Sequence, residues 1–369
     1  MNIAISARML KKDPDDGISW FTFETVKRLV SNKKEHQFYL LFDRDFDESL
    51  VFYKNTEPII IKPAMRHPAL WYYWLEHKVP SVLRKIEADL FVSPDGLISL
   101  STNVPSIPVI HDINFIHRSG DLPLVTRSYY HFFTEKFASK AIRIATVSEF
   151  SKLDISTTLA INPSKIDVVY NGVSDTFYPA DEADCKKLRN ELTGGLPYFL
   201  FVGNFSPRKN IPNLVRAYNH FRATSEYNHK LILTGERLYL NRELDLLIKT
   251  SPFSKDIILT GHQSREELKL LYSSAEALVF VPWFEGFGIP AVEAMRCGTP
   301  VILSNTTSLP EIDGEAALYV SPDDIENISV SMIKIIEDAD LKSSLKQSSI
   351  NNSMRFTWDN SAESLWRSI

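Results

Sequence analysis

The chain has 369 residues, 44% hydrophobic and 24% charged, a balance that suits roughly two globular domains and excludes a disordered chain. Its formal net charge of -5 excludes a general nucleic-acid binder, whose affinity needs a basic excess. The two cysteines lie far apart and give neither a disulfide framework nor a metal knuckle, and no apolar run approaches the ~18–20 residues that span a bilayer.

The first residues, MNIAISARML, read as a strand, because a signal peptide has a basic start and a small-residue cleavage site. The expected location is therefore a reducing cytoplasm. Short β-type runs then alternate with amphipathic stretches. Strands are expected at 2–6, 37–42, 59–61, 90–93, 106–110, 144–147 and 166–170. After a break they resume at 198–202, 230–234, 257–259, 277–281, 301–304 and 317–320. Helical periodicity occupies 21–30, 211–221, 265–273 and 325–336, and a last helix places Ala362, Leu365, Trp366 and Ile369 on one face. Alternation of this kind builds parallel α/β sheets with helices on both faces. The break, NGVSDTFYPAD at 171–181, has turn residues and no period, and reads as a linker between two doubly wound domains, 1–175 and 176–354. Such sheets take ligands at the carboxyl ends of their strands, so a crevice between the domains is the expected site.

Chemistry is densest in ALVFVPWFEGFGIPAVEAMRCGTPVILSN, residues 277–305. A buried strand leads into a glycine loop, and Pro290 then starts a helix. Gly286 and Gly288 let the backbone approach a ligand, and free N–H groups at the helix start favour an anion such as a diphosphate. Glu285 and Glu293, with seven residues between them, would repel a phosphate and are read as acceptors from sugar or ribose hydroxyls. The competing reading is an ordinary strand-to-helix turn with two solvated glutamates. In FVGNFSPRKN, Arg208 and Lys209 precede a helix and form an anion site by charge and dipole, unless they are simply solvated.

These segments resemble a known family. EGFGIPAVEAM is similar to the E-x7-E signature of family-4 retaining glycosyltransferases of the GT-B fold. VIHDINF at 109–115, ATVSEFSK at 145–152, VVYNGVSDTFYP at 168–179, FVGNFSPRKNI at 201–211, TGHQSREELKLLYSSA at 260–275 and SLPEIDGEAALYVSP at 308–322 follow in the family's order. The resemblance implies two facing Rossmann-like domains, with the chain's last helix, 355–369, crossing back to the first. It implies transfer of a sugar from a nucleotide-diphosphate donor with retention, the leaving phosphate oxygen acting as base, and no cofactor or metal beyond that donor substrate. Lys209 then matches the family's phosphate-binding lysine, with Arg208 beside it. Glu285 would hold donor-sugar hydroxyls and Glu293 the ribose, while Gly286, Phe287, Gly288 and Ile289 would supply backbone N–H groups. His111 follows a strand, where a lone histidine is more often structural than catalytic; by the resemblance it would lie close to the transferred sugar and the acceptor. Gly17 matches the family's first glycine loop, but Ser19 stands where a second glycine is usual. Gly261 and His262 would lie near the nucleotide base, and Gly235 and Glu236 occupy a similar strand end. Ser148 and Glu149 would line the base of the crevice.

The GNFSPRKN and SLPEIDGEAALYV stretches resemble bacterial mannosyltransferase-like members of surface-polysaccharide synthesis, which implies GDP-mannose as donor, with UDP-sugars the other candidate. The implied acceptor is a glycan or lipid-linked glycan at the inner face of the cell membrane. Residues 62–85 combine Trp71, Tyr72, Tyr73 and Trp74 with basic residues, which suits either a membrane interface or a core helix with inward aromatics. Three other functions compete. Asp43, Asp45 and Asp47 in DRDFD offer a D-x-D pattern for a metal-dependent glycosyltransferase. A sugar-nucleotide epimerase shares the two-domain shape, and a nucleotide-sugar-binding protein without catalysis would keep the same motifs.

Overall fold

The computed structural model describes residues 1–237 and 242–369. Its contacts divide the chain into two compact units, Met1–Gly172 with Thr357–Ile369, and Val173–Phe356.

The first unit is built on the strands β1 (Asn2–Ser6), β2 (Gln37–Phe42), β3 (Thr56–Ile60), β4 (Leu90–Ser93) and β5 (Ser106–Pro108), in spatial order β3-β2-β1-β4-β5. Every pairing is parallel. A two-stranded ladder of β6 (Ile144–Thr146) and β7 (Ile166–Val168) continues it through the Val109–Ala145 bridge. Alternate residues serve opposite faces: Ile3 and Ile5 pack into one core with Phe38, Leu40 and Val92, and Ala4 into the other with Leu41 and Phe91. Burial on both faces is why these strands are nearly continuous apolar runs. The third strand runs over Thr56–Ile60 and not 59–61, because Phe38 and Tyr39 pair with Thr56 and Glu57, residues that carry no apolar signal.

The last helix, Trp358–Arg367, belongs to this unit and packs on the helix Gly17–Asn32. Arg28 Nε donates to Asp359 at 2.7 Å, and Ser361 Oγ donates to the Tyr170 carbonyl at 2.6 Å. Gly172 must lack a side chain here, since a Cβ would lie 2.3 Å from Trp358 N.

The second unit holds β8 (Tyr198–Val202), β9 (Lys230–Thr234), β10 (Ile257–Gly261), β11 (Ala277–Phe280), β12 (Val301–Ser304) and β13 (Ala317–Val320), ordered β10-β9-β8-β11-β12-β13 and all parallel. Both units are doubly wound α/β sheets. Their strand orders reverse between β1 and β4 and between β8 and β11, the positions at which such sheets leave a crevice at their carboxyl ends.

Candidate active site

In the second unit, the chain leaving β8 passes through Gly203 into a single 3-10 turn, Pro207–Lys209, and the chain leaving β11 carries Trp283–Gly288. Trp283 N donates to the Arg208 carbonyl at 2.9 Å and ties the two loops together. Glu285 Oε1 accepts from Arg208 Nη1 at 2.7 Å and from the Lys209 ammonium. Arg208 also donates to the Phe284 carbonyl at 3.0 Å. Lys209 and Glu285 are each only 6% exposed, so water does little to screen the cluster. Burial alone would raise the Glu285 carboxyl, but the two cations override it and hold it below the ordinary carboxylate range. Both cations thus converge on one carboxylate oxygen at the switch point. Asn210, at φ +58°, pins the turn by donating to the carbonyls of Val281 and Pro322 at 3.0 and 2.7 Å.

The Glu285 backbone is held on both sides: its N–H reaches Thr307 Oγ1 at 3.2 Å and its carbonyl accepts from Ser308 Oγ at 3.0 Å. Gly288, at φ +100°, caps the helix Ile289–Arg296. The Phe287 ring is buried edge-on against Phe356 with centroids 5.4 Å apart, which leaves only its backbone for a ligand. Glu293, on that helix, accepts from Tyr272 Oη at 2.9 Å. Burial pushes the Glu293 carboxyl up to about 7, against the opposing pull of the Tyr272 hydrogen bond and the Arg265 charge. The two glutamates of the signature thus have opposite electrostatics.

Gly203, Gly235 and Gly261 stand side by side at the ends of β8, β9 and β10. Gly203 N donates to Thr234 O at 3.0 Å and Gly235 N to Gly261 O at 2.9 Å. A Cβ on Gly235 would lie 2.0 Å from the Gly203 carbonyl oxygen, so these two backbones touch only because Gly235 has no side chain. The side chains of Glu236 and His262 are exposed beside this row.

In the first unit, His111 follows β5. Its Nε2 donates to the Pro94 carbonyl at 2.8 Å and its ring meets Phe21 edge-on at 5.0 Å. Burial lowers its pKa, so at neutral pH the ring is uncharged, with Nδ1 as its acceptor. At the β1/β4 reversal Arg8 Nε donates to Asp95 at 2.6 Å, and Ser93 Oγ supports that carboxylate at 2.7 Å. Gly17 is the exposed first residue of its helix. There Asp16 accepts from Ser19 N at 2.8 Å and from Ser19 Oγ at 2.9 Å. A carboxylate therefore takes the helix-start donor that a phosphate would need.

Family models match this architecture in both halves: glycosyltransferase family 4 over residues 16–177 and glycosyl transferases group 1 over residues 186–352. The O-antigen chain mannosyltransferase RfbU of Salmonella typhimurium is 31% identical, with 79% of each chain covered. The chain belongs to the family-4 glycosyltransferases. The O-antigen chain mannosyltransferase B of Escherichia coli is 27% identical over 95% of this glycosyltransferase and 94% of its own length. Anabaena HepE, solved with UDP-glucose, superposes at a TM-score of 0.78 with 17% identity, over 100% of this chain and 98% of its own, which shows the GT-B fold.

Other residues of this glycosyltransferase fall differently from their sequence reading. Ser148 does not line a crevice: it is fully buried as the cap of the helix Glu149–Thr158, accepting from Ser151 N at 3.0 Å. Asp43 is buried under Arg44, with bonds of 2.8 and 2.9 Å, and accepts from Met65 N at 2.7 Å. Asp47 receives Ser49 N at 2.9 Å and Lys12 at 3.1 Å. Asp43 and Asp47 are thus spent on cations and a turn, Asp45 is exposed with Lys62 3.8 Å away, and among the described residues no group of three His, Cys, Asp or Glu could hold a metal ion.

Residues 62–85 form neither a single core helix nor a single surface. Trp74 is fully buried and donates to the Ile61 carbonyl at 2.9 Å, and Trp71 packs on Tyr129 and Tyr130, whereas Tyr72 and Tyr73 are exposed. Trp71 and Trp74, three positions apart, share one face of the helical segment that begins with Pro68–Tyr73, and Tyr72 and Tyr73 take the other. No helix among the described residues is long and apolar enough to cross a membrane. Sequence reasoning missed Arg8, Asp95 and Tyr272. The signal available for the first pair was a charged residue just past each of the two strands β1 and β4.

Proposed function

We propose that this glycosyltransferase moves a hexose, with mannose from GDP-mannose as the first candidate, onto a glycan or lipid-linked glycan of bacterial surface-polysaccharide synthesis, with retention and without a metal ion. The observation that carries it is the buried Arg208–Lys209–Glu285 cluster at the β8/β11 reversal. A diphosphate leaving group develops charge as the sugar departs, and preorganised cations in a dry site stabilise that charge more than they stabilise the ground state. Glu285 orients both cations, and its Oε2 remains to accept from a donor-sugar hydroxyl. A carboxylate so compensated is a weak nucleophile, which supports retention through the leaving phosphate and not through a glycosyl-enzyme. Glu293, beside Tyr272, is suited to the ribose diol. The neutral His111 positions the transferred sugar and the acceptor. The mannosyltransferase relatives support the mannose donor, and the UDP-glucose complex of the HepE neighbour keeps UDP-sugars as the other candidate.

The test is turnover of GDP-mannose, UDP-glucose and UDP-galactose by the purified protein with EDTA present, with the anomeric configuration of the product read by NMR. Transfer with retention is expected. Activity that requires added magnesium or manganese, or an inverted product, overturns the mechanism.

A lipid-linked acceptor brings the protein to a membrane. Tyr72 and Tyr73 are exposed on the first unit, and Phe133, half-buried at 5.9 Å from Tyr72, joins them to Phe132, also exposed, with the Lys136 ammonium 3.2 Å from its ring. This aromatic and basic face suits the interface of an anionic bilayer. Co-sedimentation with phosphatidylglycerol vesicles should exceed that with phosphatidylcholine alone, and equal sedimentation refutes the contact.

A further inference from the structure

The loops after β1 and β2 enclose a cavity of about 160 Å³ that the catalytic assignment leaves unused. Its wall includes the stacked rings of Phe42 and Phe46, 4.3 Å between centroids, of which Phe46 is half-buried and can present a face. Its charges come as pairs. Lys12 meets Asp47 at 3.1 Å, Arg44 meets Asp43 at 2.8 Å, and Arg8 meets Asp95 at 2.6 Å.

That lining selects by elimination. An anion would meet Asp43, Asp45 and Asp47; a cation would meet Arg8, Lys11, Lys12 and Arg44. A neutral polyhydroxylated molecule meets neither penalty. Each hydroxyl both donates and accepts, so a vicinal pair can donate to a carboxylate and accept from the adjacent ammonium or guanidinium. The C–H face of a sugar ring packs on an aromatic ring as other apolar surface does. The volume is about five times that of a liquid water molecule (~30 Å³), room for one sugar ring.

We propose that this cavity is a glycan subsite, holding one sugar of the acceptor chain away from its reacting end. The proposal rests on the reading of the acceptor as a glycan. The fold joins the two places: Arg8 lines the cavity and pairs with Asp95, and the neighbouring Pro94 carbonyl accepts from His111. A chain whose end lies at His111 thus has a second foothold on the far side of Arg8, and the D-x-D segment of the sequence becomes part of acceptor recognition.

The experiment is amide chemical-shift mapping of the full-length protein titrated separately with mannotriose, maltotriose, inorganic phosphate and magnesium chloride. Saturable shifts at Lys12, Phe46 and Asp47 with a trisaccharide, and none with phosphate or magnesium, are expected. Lys12→Ala, an exposed substitution, and Phe46→Leu, which keeps the apolar packing, should each weaken trisaccharide binding at least fivefold. Absence of trisaccharide shifts at these amides, the same shifts from phosphate or magnesium, or unchanged affinity in both variants overturns the subsite. A parallel titration with GDP and UDP reads the donor site independently. Nucleotide binding without trisaccharide binding removes the subsite alone, whereas trisaccharide binding without nucleotide binding removes the donor assignment and leaves the subsite standing.

Discussion

Glu293→Gln isolates the electrostatics of the helix Ile289–Arg296. The wild-type carboxyl titrates near 7 in the folded protein against an ordinary value of 4.5. A raised carboxyl favours the folded state fully below about pH 4.5, and that advantage is lost as pH rises to about 7. At 1.36 kcal/mol per pH unit the loss reaches roughly 3 kcal/mol, an upper bound because the side chain is only half-buried. Glutamine keeps an oxygen for Tyr272 Oη, now 2.9 Å from the carboxylate, and carries no charge at any pH. The variant's advantage should therefore be small at pH 5 and full at pH 8, where it should melt higher by about 2–4 °C per kcal/mol for a unit of this size. Nucleotide affinity should move the opposite way. If the carboxylate accepts from the ribose, wild-type affinity rises about tenfold between pH 6 and pH 8, since binding must first remove the proton. In the variant that dependence disappears. Differential scanning fluorimetry across pH 5–8.5, with calorimetric titration of GDP and UDP, reads both effects. A stability difference that does not change with pH refutes the electrostatic argument, and a flat wild-type affinity refutes the ribose role.

Lys209→Ala and Glu285→Ala should each lower turnover about a hundredfold or more while circular dichroism stays native; near-normal activity in either removes the cluster from the mechanism. Asp313 is fully buried and, among the described residues, neither carboxylate oxygen has a hydrogen-bond partner, so burial holds its pKa well above the ordinary value and its stability is lost as pH rises. Asp313→Leu should raise stability by about 1–3 kcal/mol at pH 8 and by less at pH 5, and a destabilised variant in urea titration at pH 8 refutes this. Gly235→Ala places a Cβ 2.0 Å from the Gly203 oxygen and should abolish nucleotide binding or soluble folding, whereas Gly261→Ala, at φ +72° with no atom of the described residues within 4 Å of the new Cβ, should cost only about 1–2 kcal/mol. Equal melting temperatures for these two variants would refute the close-approach argument.

The architecture was legible because both sheets are parallel and buried on both faces, so their strands stand out as apolar runs between amphipathic stretches. β3 shows the limit: Thr56 and Glu57 lie on an edge strand, where one row of backbone is paired and side chains need not be apolar. The signature residues were legible as motifs, but their mutual pairing was not. Arg208 and Glu285 lie 77 positions apart and meet only because β8 and β11 are neighbours in the sheet. Ser148 misled for the opposite reason: a serine before a glutamate marks a helix cap as readily as a crevice, and burial decides between them. In residues 62–85 composition is blind to helix phase, which turns Trp71 and Trp74 inward and leaves Tyr72 and Tyr73 exposed.

The two signature glutamates show why their spacing alone underdetermines their roles. Glu285 leaves water almost fully and Glu293 in part, and desolvation raises each carboxyl. Glu285 has a guanidinium and an ammonium on one oxygen, which reverses the shift and keeps it ionised throughout the working pH range. Glu293 has a phenol, which donates a hydrogen bond but no charge, so desolvation wins and its proton is in play near neutrality. Environments that push two like groups apart assign them different tasks. The permanent carboxylate is suited to orienting cations toward a leaving diphosphate. The titrating one is suited to sensing whether a hydroxyl-bearing ligand is present, because accepting from a diol expels its proton. Nucleotide binding should therefore release close to half a proton at pH 7, measurable as a dependence of binding enthalpy on buffer ionisation enthalpy. Zero proton release at pH 7 would mean that no ligand hydroxyl reaches Glu293.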